Sequence, residues 1–190
     1  MKILKFGGSS VSNTVRIKEV TKIVLGLSKK EHIAIVVSAF QGVTNQLLDC
    51  AHFAASGNLK FETQYAEIAK RHRGVLNELH GKQVEKKTSA AVEQMLAELH
   101  DALHGIYLLR DAPPRALDLT ASFGERLSAC IVSSYVNKSK RAVFIDARDC
   151  IVTDDQFTSA AVQFEQTNKK TKSLFKQIGF GTKRRSEEHT

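Results

Sequence analysis

Little in this sequence is of the kind that marks a disulfide scaffold, a membrane span or a nucleic-acid groove. Its three cysteines, Cys50, Cys130 and Cys150, are widely spaced, odd in number and form no CxxC pair. That argues against a disulfide framework or a zinc site and for a reducing, cytoplasmic setting. No apolar run approaches the roughly 20 residues that cross a bilayer, so no membrane partner is expected. Met1–Phe6 reaches glycine before any long apolar core, which is the wrong pattern for a secretory signal. No RNP-like aromatic pattern and no zinc-finger spacing is present. Basic charge looks at first like an exception, with a net +8. Residues 169–190 hold +5 of it, and only +3 is spread over the rest. A basic tail is not a basic groove, so nucleic acid is not an expected partner.

What is present is the material of one ordinary domain. The chain has 190 residues, 42% apolar and 25% charged, the balance of a soluble globular protein. Lys2–Phe6 reads as a short strand running into Gly7-Gly8-Ser9-Ser10. A helix follows, with Asn13 or Thr14 as its cap and an apolar stripe through Val15, Val20, Ile23, Val24 and Leu27. Ile33–Val37 is apolar and β-branched, as in a strand buried on both faces. Strand, helix and strand of these lengths make a right-handed βαβ unit, so the fold class is α/β with a parallel sheet.

A second strand-to-helix turn, Ser38–Asn45, leads into a helix that Gly57 ends. From about 61 to 110 the pattern is helical, and Val92, Leu96, Leu99, Leu103 and Ile106 make a clear stripe. His80-Gly81 separates two antiparallel helices, and Pro113-Pro114 stops the second. Further elements are a helix over 117–137, a buried strand over 141–146, a loop over 147–157 and a helix over 158–176. Three strands are few for so many helices, and the sheet reads as incomplete.

Paired glycines let a backbone approach an anion, and a following helical turn aims its free amides at it. Lys5 adds a mobile positive charge suited to phosphates. Neither the P-loop spacing nor GxGxxG is present. The plain alternative is a tight turn with a surface lysine. Ser38 and Thr44 lie at the carboxyl end of the second strand, where open α/β sheets bind ligands. They either orient a small polar substrate or merely cap the next helix. Glu125, in Gly124-Glu125-Arg126, either receives an ammonium group or pairs with a surface lysine, the commoner fate of a glutamate. His100 and His104 have metal-binding spacing but no third ligand, so no metal is expected. Asp154-Asp155 reads as the acidic start of the last helix.

Four collinear blocks resemble the aspartokinases, members of the amino-acid kinase fold. Lys5-Phe6-Gly7-Gly8-Ser9-Ser10-Val11 resembles their KFGG[TS]SV opening. Val37-Ser38-Ala39 with Gly42-Val43-Thr44-Asn45 is similar to "SA…G[VI]TN". Ser122–Ser128 is similar to "S.GE..S", and Phe144–Arg148 with Thr153–Phe157 and Ala160 to "D.R…T[DN]..F..A". The helical insertion resembles the kinase halves of enzymes fused to homoserine dehydrogenase. The resemblance implies ATP-dependent phosphorylation of the side-chain carboxylate of L-aspartate, with ATP as its Mg²⁺ complex and a homo-oligomeric parent enzyme. That reaction opens lysine, threonine and methionine biosynthesis. By match, Lys5, Gly7, Gly8 and Ser9 hold the ATP phosphates, Lys5 in the catalytic role, and Ser38, Thr44 and Glu125 bind aspartate. A carboxylate needs no general base, so positioning and charge neutralisation carry the chemistry.

The resemblance also implies an amino-acid kinase-like sandwich with helices on both faces of a mostly parallel sheet. Residues 1–178 are expected to be the N-terminal part of that domain, without its nucleotide half and with little turnover alone. Residues 179–190 break the pattern and resemble a translated sequencing adapter, a non-native or disordered tail. The alternatives are a kinase of the same fold acting on glutamate, carbamate or a nucleoside monophosphate, or a non-catalytic piece that associates with an intact kinase.

Overall fold

The computed structural model describes residues 1–179, and all but the first residue of the tail expected at 179–190 lies outside them. The described residues divide into two compact units, Met1–Phe144 and a second that begins at Ile145.

In the first unit β1 (Lys2–Phe6) and β2 (Ile33–Val37) pair in parallel, Lys2 opposite Ile33 and Phe6 opposite Val37. Helix α1 (Thr14–Leu27) makes the crossover. Asn13 caps it, its side chain accepting the Arg16 amide at 3.0 Å. Alternation along the strands turns Leu4, Phe6, Ile35 and Val37 toward the core. The opposite face carries Lys5, Ile3 (64% exposed) and Val36 (51% exposed). β2 is therefore buried on one face, not two, because no helix of this unit covers the other.

Beyond the sheet the unit is helical: α2 (Val43–Ala55), α3 (Lys60–His80), α4 (Lys86–Leu109) and α5 (Pro114–Asn137). α2 packs on α3, α4 and α5, and α4 on α5. The stripe read on α4 is the buried one, with Val92, Leu96, Leu99 and Leu103 fully buried and Ile106 nearly so. Burying each leucine stabilises by about 1.5–3 kcal/mol, so this seam carries much of the unit. The α3–α4 break falls at Gly81, whose φ of 60° suits glycine. α4 ends before the prolines, at Arg110 in the left-handed region, and Pro114 instead opens α5.

Residues 141–146, read as a third buried strand, form no strand. They have no partner strand among the described residues, the Ala142 amide bonds Asn137 Oδ1 at 3.0 Å, and Val143 is half exposed. An apolar β-branched run needs a neighbour to become a strand.

In the second unit Thr153 and Val162 form an antiparallel bridge, and α6 runs Phe164–Gln177. α6 starts six residues later than expected. Asp154 Oδ1 accepts the Gln156 and Ala161 amides, at 3.2 and 3.1 Å, and holds a turn in which Thr158 has φ 69°. Asp154 and Asp155 thus belong to that turn and not to a helix start.

Candidate functional site

Two turns leave the carboxyl ends of adjacent parallel strands, and the backbone brings them together. The Ser38 amide donates to the Phe6 carbonyl at 3.1 Å, extending the ladder one step past the strands. After Phe6 the chain makes a 3-10 turn, Gly8–Val11, in which the Ser10 amide bonds the Gly7 carbonyl at 2.9 Å. A β-carbon on Gly8 would stand 2.8 Å from the Ala39 carbonyl oxygen. Gly8 is therefore the residue that lets one turn lie against the other. A β-carbon on Gly7 would meet nothing within 4 Å, so Gly7 borders open space.

α5 closes the third side. Its Gly124 lies against Ala39, where a β-carbon would come within 2.7 Å of the alanine methyl. That close approach puts Glu125 Oε1 3.3 Å from the Ala39 amide, which donates to it. One turn further along α5, Ser128 Oγ donates to the Ser38 carbonyl at 2.7 Å. Glu125 is exposed, as a surface glutamate is, but the bond it accepts ties it to the β2 turn rather than to a lysine.

The capping readings of Ser38 and Thr44 fall away too. Gly42, at φ 84°, is the N-cap of α2 and offers no side-chain acceptor. Thr44 lies inside the first turn, half-buried. Ser38 uses its backbone on Phe6 and Ser128. Ser9 is exposed on the glycine turn, and Lys5 is exposed on the outward face of the sheet. The structure therefore brings Gly8 and Glu125 each against Ala39, beside Ser38, keeps Gly7, Ser9 and Thr44 on the same two turns, and sets Lys5 at the strand end on the open face.

Sequence reading missed the groups that hold the turns in place. Ser128 is one, and Arg71 on α3 is another. Arg71 Nη1 donates to the Gln41 carbonyl at 2.9 Å and Nη2 to the Ser12 carbonyl at 3.2 Å. Burial pulls the Arg71 pKa down from its ordinary value, yet a guanidinium stays charged. Next to it His72 is fully buried and stacks on Phe40, with ring centroids 4.9 Å apart. Burial, the main cause, pushes the His72 pKa down to about 4, against the hydrogen bond that its Nδ1–H donates to the Ile68 carbonyl. The glycine in the interior of α5 was a usable signal for Ser128; nothing local points to Arg71.

The other candidates stay apart from this place. His100 Nε2 lies 3.0 Å from the Glu62 carboxylate, and the His104 ring is 6.3 Å from that of His100. Among the described residues no three His, Cys, Asp or Glu side chains are grouped to hold a metal. Burial pushes the Cys50 and Cys130 thiols up to about 12 and about 11, so neither offers a thiolate at neutral pH. Among the described residues no helix is long and apolar enough to cross a membrane.

Comparison with known proteins adds the following. The profile of the amino acid kinase family matches residues 1–180. Aspartokinase 2, chloroplastic, of Arabidopsis thaliana is 32% identical over 162 residues, covering 84% of this chain and 29% of its own length. The bifunctional aspartokinase/homoserine dehydrogenase of Buchnera aphidicola is 24% identical over 182 residues, 92% of this chain and 22% of its own. The crystal structure of E. coli aspartokinase III in complex with aspartate and ADP superposes with a TM-score of 0.78 at 21% identity, covering 94% of this chain and 38% of that one. The chain thus spans less than a third of the length of these sequence relatives.

Proposed function

Because the chain belongs to the amino acid kinase family, we propose that its strand-end turns serve the transfer of the γ-phosphoryl group of ATP to the side-chain carboxylate of L-aspartate. The product is 4-phospho-L-aspartate, and ADP leaves. The observation that carries the reading is the convergence of Glu125 and the Ser38–Thr44 turn, held by the Ala39 amide at 3.3 Å and the Ser128 hydroxyl at 2.7 Å. An acidic side chain beside a turn rich in amides and hydroxyls suits an α-amino acid, with Glu125 receiving the ammonium group and Ser38 and Thr44 orienting the polar groups around it.

The nucleotide side is assigned to the other turn. Gly7 and Gly8 admit phosphate oxygens to the backbone, Ser9 adds a hydroxyl, and Lys5 supplies a positive charge. Mg²⁺ arrives with ATP as part of the substrate complex and neutralises phosphate charge. Two anions must be brought together, so the protein's work is positioning and neutralisation; the attacking carboxylate is already ionised at neutral pH. The relatives named as aspartokinases and the neighbour holding aspartate and ADP support this substrate pair.

Ligand-dependent melting tests it. L-Aspartate at about 100 times its Kd should stabilise by about 2.7 kcal/mol, a rise of roughly 5–10 °C for a chain of this size. L-Glutamate and carbamate should give no rise, and Glu125→Ala should abolish the aspartate effect. An equal rise with L-glutamate would move the assignment to another acceptor.

A further inference from the structure

α3 belongs to the stretch that reads as a helical insertion, yet it reaches back to both turns. The Arg71 fork spans them, with one nitrogen on the Gln41 carbonyl at 2.9 Å and another on the Ser12 carbonyl at 3.2 Å. Gln41 lies in the turn after β2, and Ser12 is the C-cap of the 3-10 turn after β1. Two further contacts from α3 act at the same places. Thr14 Oγ1, at the start of α1, donates to Glu78 at 2.5 Å, and His72 stacks on Phe40 in the β2 turn with an interplanar angle of 12°. The Arg71 guanidinium also stands 5.9 Å from the Phe40 ring centroid. One helix therefore touches the glycine turn, the start of its helix and the β2 turn.

From this geometry we propose that Arg71 is a positioning residue for phosphoryl transfer, with α3 as the brace that fixes the separation of the two turns. The inference rests on the functional reading above, in which one turn holds the phosphates and the other the acceptor. In-line transfer needs the reacting atoms about 3–3.5 Å apart, and a misplacement of about 1 Å costs on the order of a hundredfold in rate. A planar fork with donors in two directions sets such a separation. A lysine, a single point charge, reaches one carbonyl at a time.

Amide hydrogen exchange and aspartate binding, measured on the full chain with Arg71→Ala and Arg71→Lys, test this. In Arg71→Ala, exchange over residues 7–13 and 39–45 should rise together, about tenfold, while α4 keeps its wild-type protection. The L-aspartate Kd should rise about tenfold as well, about 1.4 kcal/mol. Arg71→Lys should restore protection at one turn only, and it carries the same comparison where the alanine chain does not fold. Loosening of one turn alone in Arg71→Ala, or of neither, overturns the brace. A lowered melting temperature with an unchanged Kd makes Arg71 merely structural and also overturns it. A wild-type chain that binds no aspartate contradicts the functional reading instead, a result distinct from any change between wild type and variant.

Discussion

At the residue scale Gly8 and His72 set the packing of the two turns. Alanine at Gly8 would drive its β-carbon against the Ala39 carbonyl, 2.8 Å away, and a backbone atom cannot rotate clear. Gly8→Ala should therefore lower stability by about 1–3 kcal/mol, read as a lower urea midpoint at constant m. At Gly7, where a β-carbon meets nothing, the same change should cost well under 1 kcal/mol. His72 makes stability pH-dependent. Its folded pKa of about 4 lies below the ordinary value of 6.5, so the unfolded chain takes up the proton first as the pH falls. The contribution is complete above pH 6.5 and is lost between there and pH 4, at most about 3 kcal/mol. His72→Phe keeps an aromatic ring against Phe40 and should flatten that part of the profile. A difference between wild type and His72→Phe that stays constant over this range would contradict the assignment.

At the element scale local signals were legible wherever local physics decides the outcome. Asn13 is one of the two caps expected, and Asn13→Ala should cost about 1 kcal/mol in urea unfolding, with no change in the α3–α4 hairpin. The stripe from Val92 to Ile106, the break at Gly81 and the two strand-end turns were likewise readable, because spacing and glycine chemistry act within a few residues. The misses are elements whose state depends on something distant. Residues 141–146 have strand composition and, among the described residues, no strand to pair with. α6 begins late because Asp154 holds a turn through two amides, which an acidic pair in sequence does not distinguish from a helix start. In the site, Glu125 and Thr44 could be nominated from their motifs. Arg71 could not, since its partners lie 30 and 59 residues away in sequence.

At the scale of the whole molecule the sheet has one covered face and one open. Ile3 and Val36 are more than half exposed on the open face, beside Lys5. Two parallel strands with an apolar face in water are an invitation to self-association. Ile3→Thr with Val36→Thr should raise the monomer fraction in sedimentation at fixed concentration and change stability by no more than about 0.5 kcal/mol. Threonine keeps β-branching without placing a second positive charge opposite Lys5. A sedimentation profile identical to wild type would show that this face does not drive association.

The central claim is that the turn after β2, with Glu125, receives L-aspartate while the turn after β1 receives the phosphates of ATP. The most direct measurement is an amide-resolved NMR titration of the chain with L-aspartate and, separately, with ATP and Mg²⁺. Aspartate should shift the amides of Ala39, Thr44 and Glu125, and ATP those of Gly7, Gly8 and Ser9, with neither set responding to D-aspartate or inorganic sulfate. Shifts confined to other parts of the chain, or both ligands moving the same turn, would contradict the account.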